Sequence, residues 1–374
     1  MSIEAVTIPK WGMTMTEGIV ADWLVAEGDE VSRGQEIIEV ESTKTTNAVE
    51  SAASGILRRI VVQVGDTAPV GALVGVIADA SVSDEEIEAF IASFADANGA
   101  ADEVDPNAPS VKPIEVGEGR VVNVLTMGGD AEESIVLVHG FGGDLSTWLF
   151  NQDAFAKDHR VVAVDLPGHG ASTPIQGSDV FGDLVSAVER ALESVAPGKL
   201  HLVAHSFGGA VAAALASRQS GRVASLSLIA PVGLGKQINK SFLDDFISAE
   251  RRRPLKEVLE RLLADPSKIS NDMIEGTLRF KRLEGVPEAL SAIRDTIVDE
   301  NGQQRHWIAG TVADFNGPVA LIWGEKDQIV PLPSESQVPS QAKLNVIRGV
   351  GHMPQMEAAS EVNSLVLENI ARAK

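Results

Sequence analysis

The sequence predicts a multidomain protein in which a small all-β sandwich precedes an α/β domain with a mostly parallel sheet. Three observations support this fold class: an internal repeat within residues 1–79, a linker-like composition over 80–113, and alternating strand-like and helix-like segments over 114–374. The length of 374 residues also exceeds one ordinary domain of about 100–200 residues. We therefore expect separately folded units.

The composition restricts the classes of partner. Hydrophobic residues make up 44% and charged residues 22% of the chain, which is typical of a globular protein. The formal charge of -22 repels phosphate backbones and anionic lipids, so neither nucleic acid nor membrane is an expected partner. No secretory h-region and no run of about 18 apolar residues is present. We expect a cytoplasmic protein.

The chain contains no cysteine. Disulfides, thiolate metal sites and a cysteine nucleophile are thereby excluded. Any thiol chemistry must use sulfur from a bound group or a substrate.

The first domain repeats itself at an offset of 37 residues. Paired glycines and their neighbours recur at this offset: Gly18-Ile19 with Gly55-Ile56, Gly28-Asp29 with Gly65-Asp66, and Gly34 with Gly71. Short alternating strands separated by Gly-Asp turns surround them. Two copies of about four strands predict a pseudo-symmetric sandwich over 1–79.

The junction between the two copies carries a lysine, Lys44, in the turn sequence ESTKT. By itself, a lysine on a hairpin turn is usually a solvated surface residue. However, the segments PKWGMTMTEG (9–18), VAEGD (25–29), ESTKT (41–45) and GD (65–66) occur in the order found in the lipoyl/biotinyl carrier family, which this domain resembles. The resemblance implies that Lys44 carries lipoic acid in amide linkage. Biotin carriers usually have Met on both sides of the lysine, whereas the neighbours here are Thr43 and Thr45.

An acidic linker over 80–113 follows, and one part of it has the pattern of a helix. Ser83 and Glu86 have the spacing of a capping box, and Ile87, Phe90, Ile91 and Phe94 form one apolar face over 84–95. This helix either packs on a domain of its own chain or docks a partner subunit.

Seven strand-like runs predict the sheet of the second domain. They are residues 121–125, 135–138, 161–164, 200–204, 224–229, 319–323 and 344–347. Residues from about 237 to 308 interrupt the alternation with helical, charge-rich segments, which predict a cap over one end of the sheet.

Three residues in this domain have the pattern of a nucleophilic triad. Ser206 follows a strand and precedes a helix in the sequence HSFGG, which indicates a nucleophile elbow although Ala204 replaces the usual first glycine. Asp327 follows the strand over 319–323, and His352 lies in the loop after the next strand. The chain order is therefore Ser, Asp, His.

With the segments HGFGG (139–143) and DLPGHG (165–170), these motifs resemble the α/β-hydrolase fold family over residues 114–374. The resemblance implies that Ser206 is the nucleophile, His352 the general base and then acid, and Asp327 the group that orients His352. It also implies an oxyanion hole formed by the backbone N–H groups of Phe141 and Phe207.

Three further histidines and two further aspartates are candidates for these roles. His139, His169 and His201 are better explained as loop-holding or packing residues, and Asp165 and Asp314 as weaker candidates for the triad acid than Asp327. No histidine–carboxylate cluster has metal-ligand spacing, and no Walker or dinucleotide fingerprint occurs.

A lipoyl carrier joined to an acyl-transfer domain resembles the dihydrolipoamide acetyltransferase components of bacterial acetoin-cleaving dehydrogenase systems. That family implies coenzyme A as acceptor, a thiamine-diphosphate acetoin-cleaving enzyme and dihydrolipoamide dehydrogenase as partners, and a homo-oligomer. The His-x-x-x-Asp-Gly motif of other lipoyl-bearing acyltransferases is absent. Two alternatives stay open: a hydrolase of esters, thioesters or C–C bonds tethered to a lipoyl domain, and a non-catalytic carrier or scaffold subunit.

The acceptor site is less well marked. Arg251, Arg252, Arg253 and Lys256 could pair with the phosphates of coenzyme A. The competing interpretation is the solvated face of a cap helix.

Overall fold

A computed structural model describes residues 3–9, 17–41, 46–99, 108–129, 131–175 and 177–373. The chain divides into two compact units, Met1–Asp105 and Pro106–Lys374. None of the helices in the described ranges is long and apolar enough to cross a membrane.

The first unit contains eight described strands in two four-stranded sheets. Their order is β1-β8-β6-β3 in one sheet and β5-β4-β2-β7 in the other. The strands are β1 (Ile3–Thr7), β2 (Glu17–Trp23), β3 (Glu30–Val31), β4 (Glu36–Glu41), β5 (Thr46–Glu50), β6 (Gly55–Ile60), β7 (Thr67–Pro69) and β8 (Leu73–Ala78). This is the predicted all-β sandwich.

The 37-residue repeat is the symmetry of these two sheets. The offset exchanges β2 with β6, β3 with β7 and β4 with β8, so the two sheets have equivalent strand orders. The repeated glycines also have matching φ angles. The angle is 97° at Gly28 and 91° at Gly65, and it is 84° at Gly34 and 83° at Gly71. A side chain would be strained at these turns, which explains why glycine recurs there.

The predicted attachment residue Lys44 lies outside the described residues. The strands on either side of it, β4 and β5, pair in antiparallel register from Glu36↔Glu50 to Glu41↔Thr46. Lys44 is therefore one of the four residues that connect the two strands of a described hairpin.

The predicted helix is α1 (Asp84–Gly99), and it packs on the first unit. The capping box is formed: the Ser83 N–H donates to Glu86 Oε2 at 2.9 Å, and the Glu86 N–H donates to Ser83 Oγ at 3.3 Å. Ile87 is fully buried against Val76 of β8 in one apolar cluster. Of the two predicted alternatives, the structure shows the helix packed on its own domain.

The second unit is built on an eight-stranded sheet of order β16-β15-β14-β13-β11-β12-β10-β9. The strands β11 to β16 run parallel, whereas β10 pairs antiparallel with β9 and β12. They are β9 (Ser110–Glu115), β10 (Val121–Met127), β11 (Glu133–Val138), β12 (Arg160–Val164), β13 (Lys199–His205), β14 (Val223–Ile229), β15 (Val319–Gly324) and β16 (Ala342–Ile347). All seven predicted strands are present.

The structure differs from the predicted boundaries at residues 79 and 114. The first unit extends through α1, because the apolar face of this helix is buried on the sandwich. The second begins with β9, an edge strand whose Lys112 and Pro113 are exposed. Edge strands tolerate proline and need no apolar alternation, so this one gave no signal in the sequence.

Ten α-helices of four or more residues surround this sheet in the described chain, and five of them, α5 to α9, form the cap between β14 and β15. They are α2 (Gln152–Phe155), α3 (Val180–Val195), α4 (Phe207–Arg218), α5 (Lys240–Ser248), α6 (Arg252–Leu259), α7 (Asn271–Lys281), α8 (Val286–Ile297), α9 (Ala309–Asp314), α10 (Pro354–Glu357) and α11 (Ala359–Ala371). The cap ends a few residues later than the predicted 308, because α9 also precedes β15.

Candidate active site

Ser206 lies on the turn between β13 and α4. Its φ of 53° and ψ of -119° fall in a region that non-glycine residues rarely adopt. Two backbone hydrogen bonds hold the turn: the Ser206 N–H donates to the Ile229 carbonyl at 2.9 Å, and the Val232 N–H donates to the Ser206 carbonyl at 3.0 Å. Such strain persists only where the surroundings enforce it, and it is typical of functional sites.

Small residues around the turn permit close approach of the backbone. A Cβ added to Gly140 would lie 2.9 Å from the Cβ of Ser206, and one added to Gly209 would lie 2.5 Å from Pro231 Cβ. Ala204 is fully buried in β13, so alanine is accommodated where the usual motif has glycine. The close packing around the elbow thus accounts for the glycines at positions 140 and 209.

Asp327 and His352 are in direct contact. The Nδ1 atom of His352 lies 2.8 Å from Asp327 Oδ2, and both side chains are buried. The other oxygen of Asp327 accepts the N–H groups of Ile329 and Val330 at 2.8 and 3.0 Å. The carboxylate is therefore fixed in orientation, and it can hold the imidazole with Nε2 available as a base.

His205 links Ser206 to the loop that contains His352, and no sequence motif assigns it this role. Its Nε2–H donates to the His352 carbonyl at 2.8 Å, and the two imidazole rings lie 4.7 Å apart. Burial lowers its pKa well below the usual histidine value, so it is a neutral hydrogen-bond donor. Only the three-dimensional structure reveals this contact, because 147 residues separate the two histidines.

The two predicted oxyanion donors follow β11 and β13. Phe207 is the first residue of α4, and Phe141 lies in the loop after β11, next to Gly140. Neither N–H has an acceptor in the described part of the chain. Both are therefore available to a developing negative charge beside Ser206.

Two neutral histidines hold the loop that contains Phe141. His169 Nε2 accepts the Gly142 N–H at 3.0 Å, and His139 Nε2 accepts the Leu166 N–H at 2.9 Å. Burial lowers the pKa of both, that of His169 to about 3. They position the loop as acceptors.

Asp165, one of the alternative acids, is already hydrogen-bonded to neighbouring loops and to Asn123. Its carboxylate accepts the N–H groups of Leu145 and Ala171 and the side-chain amide of Asn123. His352 instead contacts Asp327, as the motif order indicated.

Comparisons with known proteins match both domains of the chain. Residues 135–365 match the family model for the alpha/beta hydrolase family, and residues 4–77 match the model described as biotin-requiring enzyme. The dihydrolipoyllysine-residue acetyltransferase component of the acetoin cleaving system of Pseudomonas putida is 42% identical over 368 residues, which cover 98% of each chain.

This chain belongs to that family of acetyltransferase components. The corresponding protein of Cupriavidus necator is 40% identical over 99% of this chain and 98% of its own length. Among solved structures, 2-hydroxy-6-oxo-6-phenylhexa-2,4-dienoate hydrolase from Rhodococcus has a TM-score of 0.63 at 22% identity, over 71% of this chain and 99% of its own. The latter likeness concerns the fold alone.

The cap of this acetyltransferase component packs directly on the loop that contains Phe141. The ring centroid of Phe246 from α5 lies 5.6 Å from that of Phe141. A Cβ added to Gly142 would lie 2.5 Å from Cζ of Phe246. Lys281 of α7 donates to the carbonyls of Phe246 and Ala249, and burial lowers its pKa to about 8. This lysine satisfies carbonyls at the C-terminal end of α5 and so helps to seat Phe246.

Most of the basic residues predicted for acceptor binding already have carboxylate partners. Arg252 pairs with Glu275, Arg253 with Glu257 at 3.1 Å, and Lys256 with Glu260 at 3.7 Å. Arg251, at the start of α6, has no carboxylate partner in the described chain. This arrangement favours the solvated-face interpretation.

His306 in the cap is a half-buried histidine that no sequence motif marks. Its ring lies 4.1 Å from that of Phe181 and 6.1 Å from that of Phe207, and its Nε2 is buried without a partner. Burial lowers its pKa from 6.5 to about 4. At a pH between about 4 and 6.5, the imidazole of His306 is therefore protonated in the unfolded chain and neutral in the folded chain.

The second unit should therefore lose stability as the pH falls from 6.5 to 5, and His306→Gln should reduce this loss. For a shift of this size, we expect the variant to remove about 1.5 kcal/mol of the pH dependence of the free energy of unfolding. Urea unfolding at pH 6.5 and 5 measures it. Between pH 7 and 8 the imidazole is neutral in both states, so both proteins should respond alike there. Equal acid sensitivity of variant and wild type would contradict the assignment.

Proposed function

We propose that this chain transfers an acetyl group from the lipoyl group on Lys44 to coenzyme A through an acetyl-Ser206 intermediate. The observation that supports this most strongly is that a lipoyl-type domain and an α/β-hydrolase domain occur in one chain, 98% of which is covered by a relative named as an acetyltransferase component. Lys44 fits an attachment role because it belongs to the four-residue connection of a β-hairpin. When bound there, the lipoyl group supplies the thiol that holds the acetyl group as a thioester.

In the first half-reaction, Ser206 Oγ attacks the thioester carbonyl while His352 Nε2 takes its proton. The negative charge that develops on the carbonyl oxygen is stabilised by the N–H groups of Phe141 and Phe207. Asp327 stabilises the imidazolium through its contact with Nδ1. The C–S bond then breaks, and His352 returns the proton to the departing thiol.

In the second half-reaction, His352 takes the proton of the coenzyme A thiol, and its sulfur attacks the acetyl carbonyl on Ser206. The ester bond breaks, and the serine oxygen recovers its proton from His352. The acetyl group has then passed between two thiols without net change in oxidation or protonation. The same residues serve both half-reactions, because in each one the nucleophile must lose a proton and the leaving group must gain one.

The partners follow from the same proposal. The names of the relatives refer to an acetoin cleaving system, so we propose that a thiamine-diphosphate enzyme supplies the acetyl group and that dihydrolipoamide dehydrogenase reoxidises the lipoyl thiols. We also propose a homo-oligomer as the assembly that holds these enzymes together.

The acceptor is tested by giving the purified chain acetyl-dihydrolipoamide with and without coenzyme A. The proposal predicts acetyl-coenzyme A in the first case and little free acetate in the second. Free acetate formed at the same rate with or without coenzyme A would instead identify a hydrolase, and no turnover would indicate a carrier subunit without catalysis.

A further inference from the structure

One carboxylate joins the histidine loop to the cap. Glu357 is the last residue of α10, five residues after His352. Its Oε2 accepts the Gly351 N–H at 2.7 Å, and its Oε1 accepts the N–H groups of Ala264 and Asp265 at 2.9 and 3.3 Å. Gly351 precedes His352, whereas Ala264 and Asp265 belong to the cap between α6 and α7.

The same two segments also touch directly. The His352 N–H donates to the Leu262 carbonyl at 2.8 Å, and a Cβ added to Gly351 would lie 2.7 Å from the Ala264 nitrogen. The His352 carbonyl accepts the bond from His205 on the other side. The backbone of His352 is thus held by the cap through its N–H and by the elbow through its carbonyl.

Glu357 has no cationic partner in the described chain, and its carboxylate accepts hydrogen bonds from three backbone N–H groups. Hydrogen bonds to an ionised acceptor are roughly twice as strong as neutral ones. A half-buried carboxylate that binds three N–H groups from two segments is therefore suited to fixing those segments against each other.

We propose that Glu357 is a positioning residue that couples the cap to the general base. By holding Leu262–Asp265 against Gly351, it keeps the His352 imidazole aligned between Asp327 and Ser206 while the donor and acceptor thiols exchange. The inference rests on the proposed serine chemistry. It assigns to the cap the further task of keeping the base in place.

The test is the rate at which p-nitrophenyl acetate acylates Ser206, since this reaction needs neither lipoyl group nor coenzyme A. In Glu357→Gln, an NH₂ group replaces one of the two carboxylate oxygens. Because each of those oxygens accepts a backbone N–H group, the NH₂ group then faces another donor and at least one hydrogen bond is lost. We expect the acylation rate to fall about tenfold or more. The midpoint of its pH–rate profile should move to lower pH, because the imidazolium loses part of its contact with Asp327.

Glu361→Gln is the matched control, because Glu361 is exposed on α11 and should leave the rate and profile unchanged. Glu357→Asp provides a second variant, which keeps the charge but whose shorter side chain cannot reach both segments, so it should show a change of the same kind. Urea unfolding of each variant gives its folded fraction.

A wild-type rate and pH profile in Glu357→Gln would overturn the proposal. So would a loss explained entirely by a smaller folded fraction with an unchanged profile. Failure of the proposed function gives a different result from failure of this inference. If wild-type Ser206 is not acylated, the proposed serine chemistry is wrong. If Ser206 is acylated but coenzyme A is not used as acceptor, the role of Glu357 still stands.

Discussion

Ser206→Ala should lower coenzyme A-dependent acetyl transfer by about a thousandfold or more. Without the hydroxyl no acyl-enzyme can form, and what is left is the contribution of binding and of the oxyanion donors. The measurement is the initial rate of acetyl-coenzyme A formation from acetyl-dihydrolipoamide at saturating coenzyme A.

Ser217→Ala is the matched control for this substitution. Ser217 is exposed on α4, the helix that begins after Ser206, so its replacement should leave the rate unchanged. Ser206→Ala should remain folded in urea titrations, because alanine occupies no more space on the turn. A Ser206→Ala protein that forms acetyl-coenzyme A at the wild-type rate would exclude covalent catalysis by this serine.

Lys44→Arg should abolish the overall reaction from acetoin while sparing transfer from a free donor. Arginine keeps the positive charge but cannot form the lipoyl amide, so the partner enzyme has no tethered acceptor. Tethering gives the arm an effective concentration of about the millimolar range near Ser206, which free lipoamide does not reproduce at low concentration. The measurement combines the acetoin-dependent rate, with partner enzymes added, and the rate with free acetyl-dihydrolipoamide.

Lys10→Arg is the control, because Lys10 and Lys44 are the two lysines of residues 1–79. Intact mass should show one lipoyl group on wild type and Lys10→Arg, and none on Lys44→Arg. Full acetoin-dependent turnover by Lys44→Arg would rule out the carrier role of this residue.

Much of the fold could be predicted from local patterns. The repeated glycines marked the sandwich because each turn needs a left-handed backbone, and Ser83 and Glu86 marked the start of α1 because a capping box is local. The seven strands of the second domain were marked by apolar runs. Strand β9 was not, because an exposed edge strand has no such run.

The residues of the candidate site also fall into a group that sequence motifs predict and a group that they do not. Ser206, Asp327 and His352 follow strands in recognisable motifs. The residues that hold them do not: His205 contacts His352 across 147 residues, and Glu357 contacts Ala264 across 93. These contacts depend on how the cap and loops pack, for which the sequence contains no local pattern.

In the proposed mechanism, the acetyl group rests on Ser206 between two thiols. The most direct test of this intermediate is rapid acid quenching of the wild-type enzyme mixed with acetyl-dihydrolipoamide, followed by mass analysis of the peptide that contains Ser206. We expect acetylation of this serine at least as fast as turnover, and its loss when coenzyme A is added. Acetyl-coenzyme A formed while the peptide stays unmodified at every time point would exclude an acetyl-Ser206 intermediate.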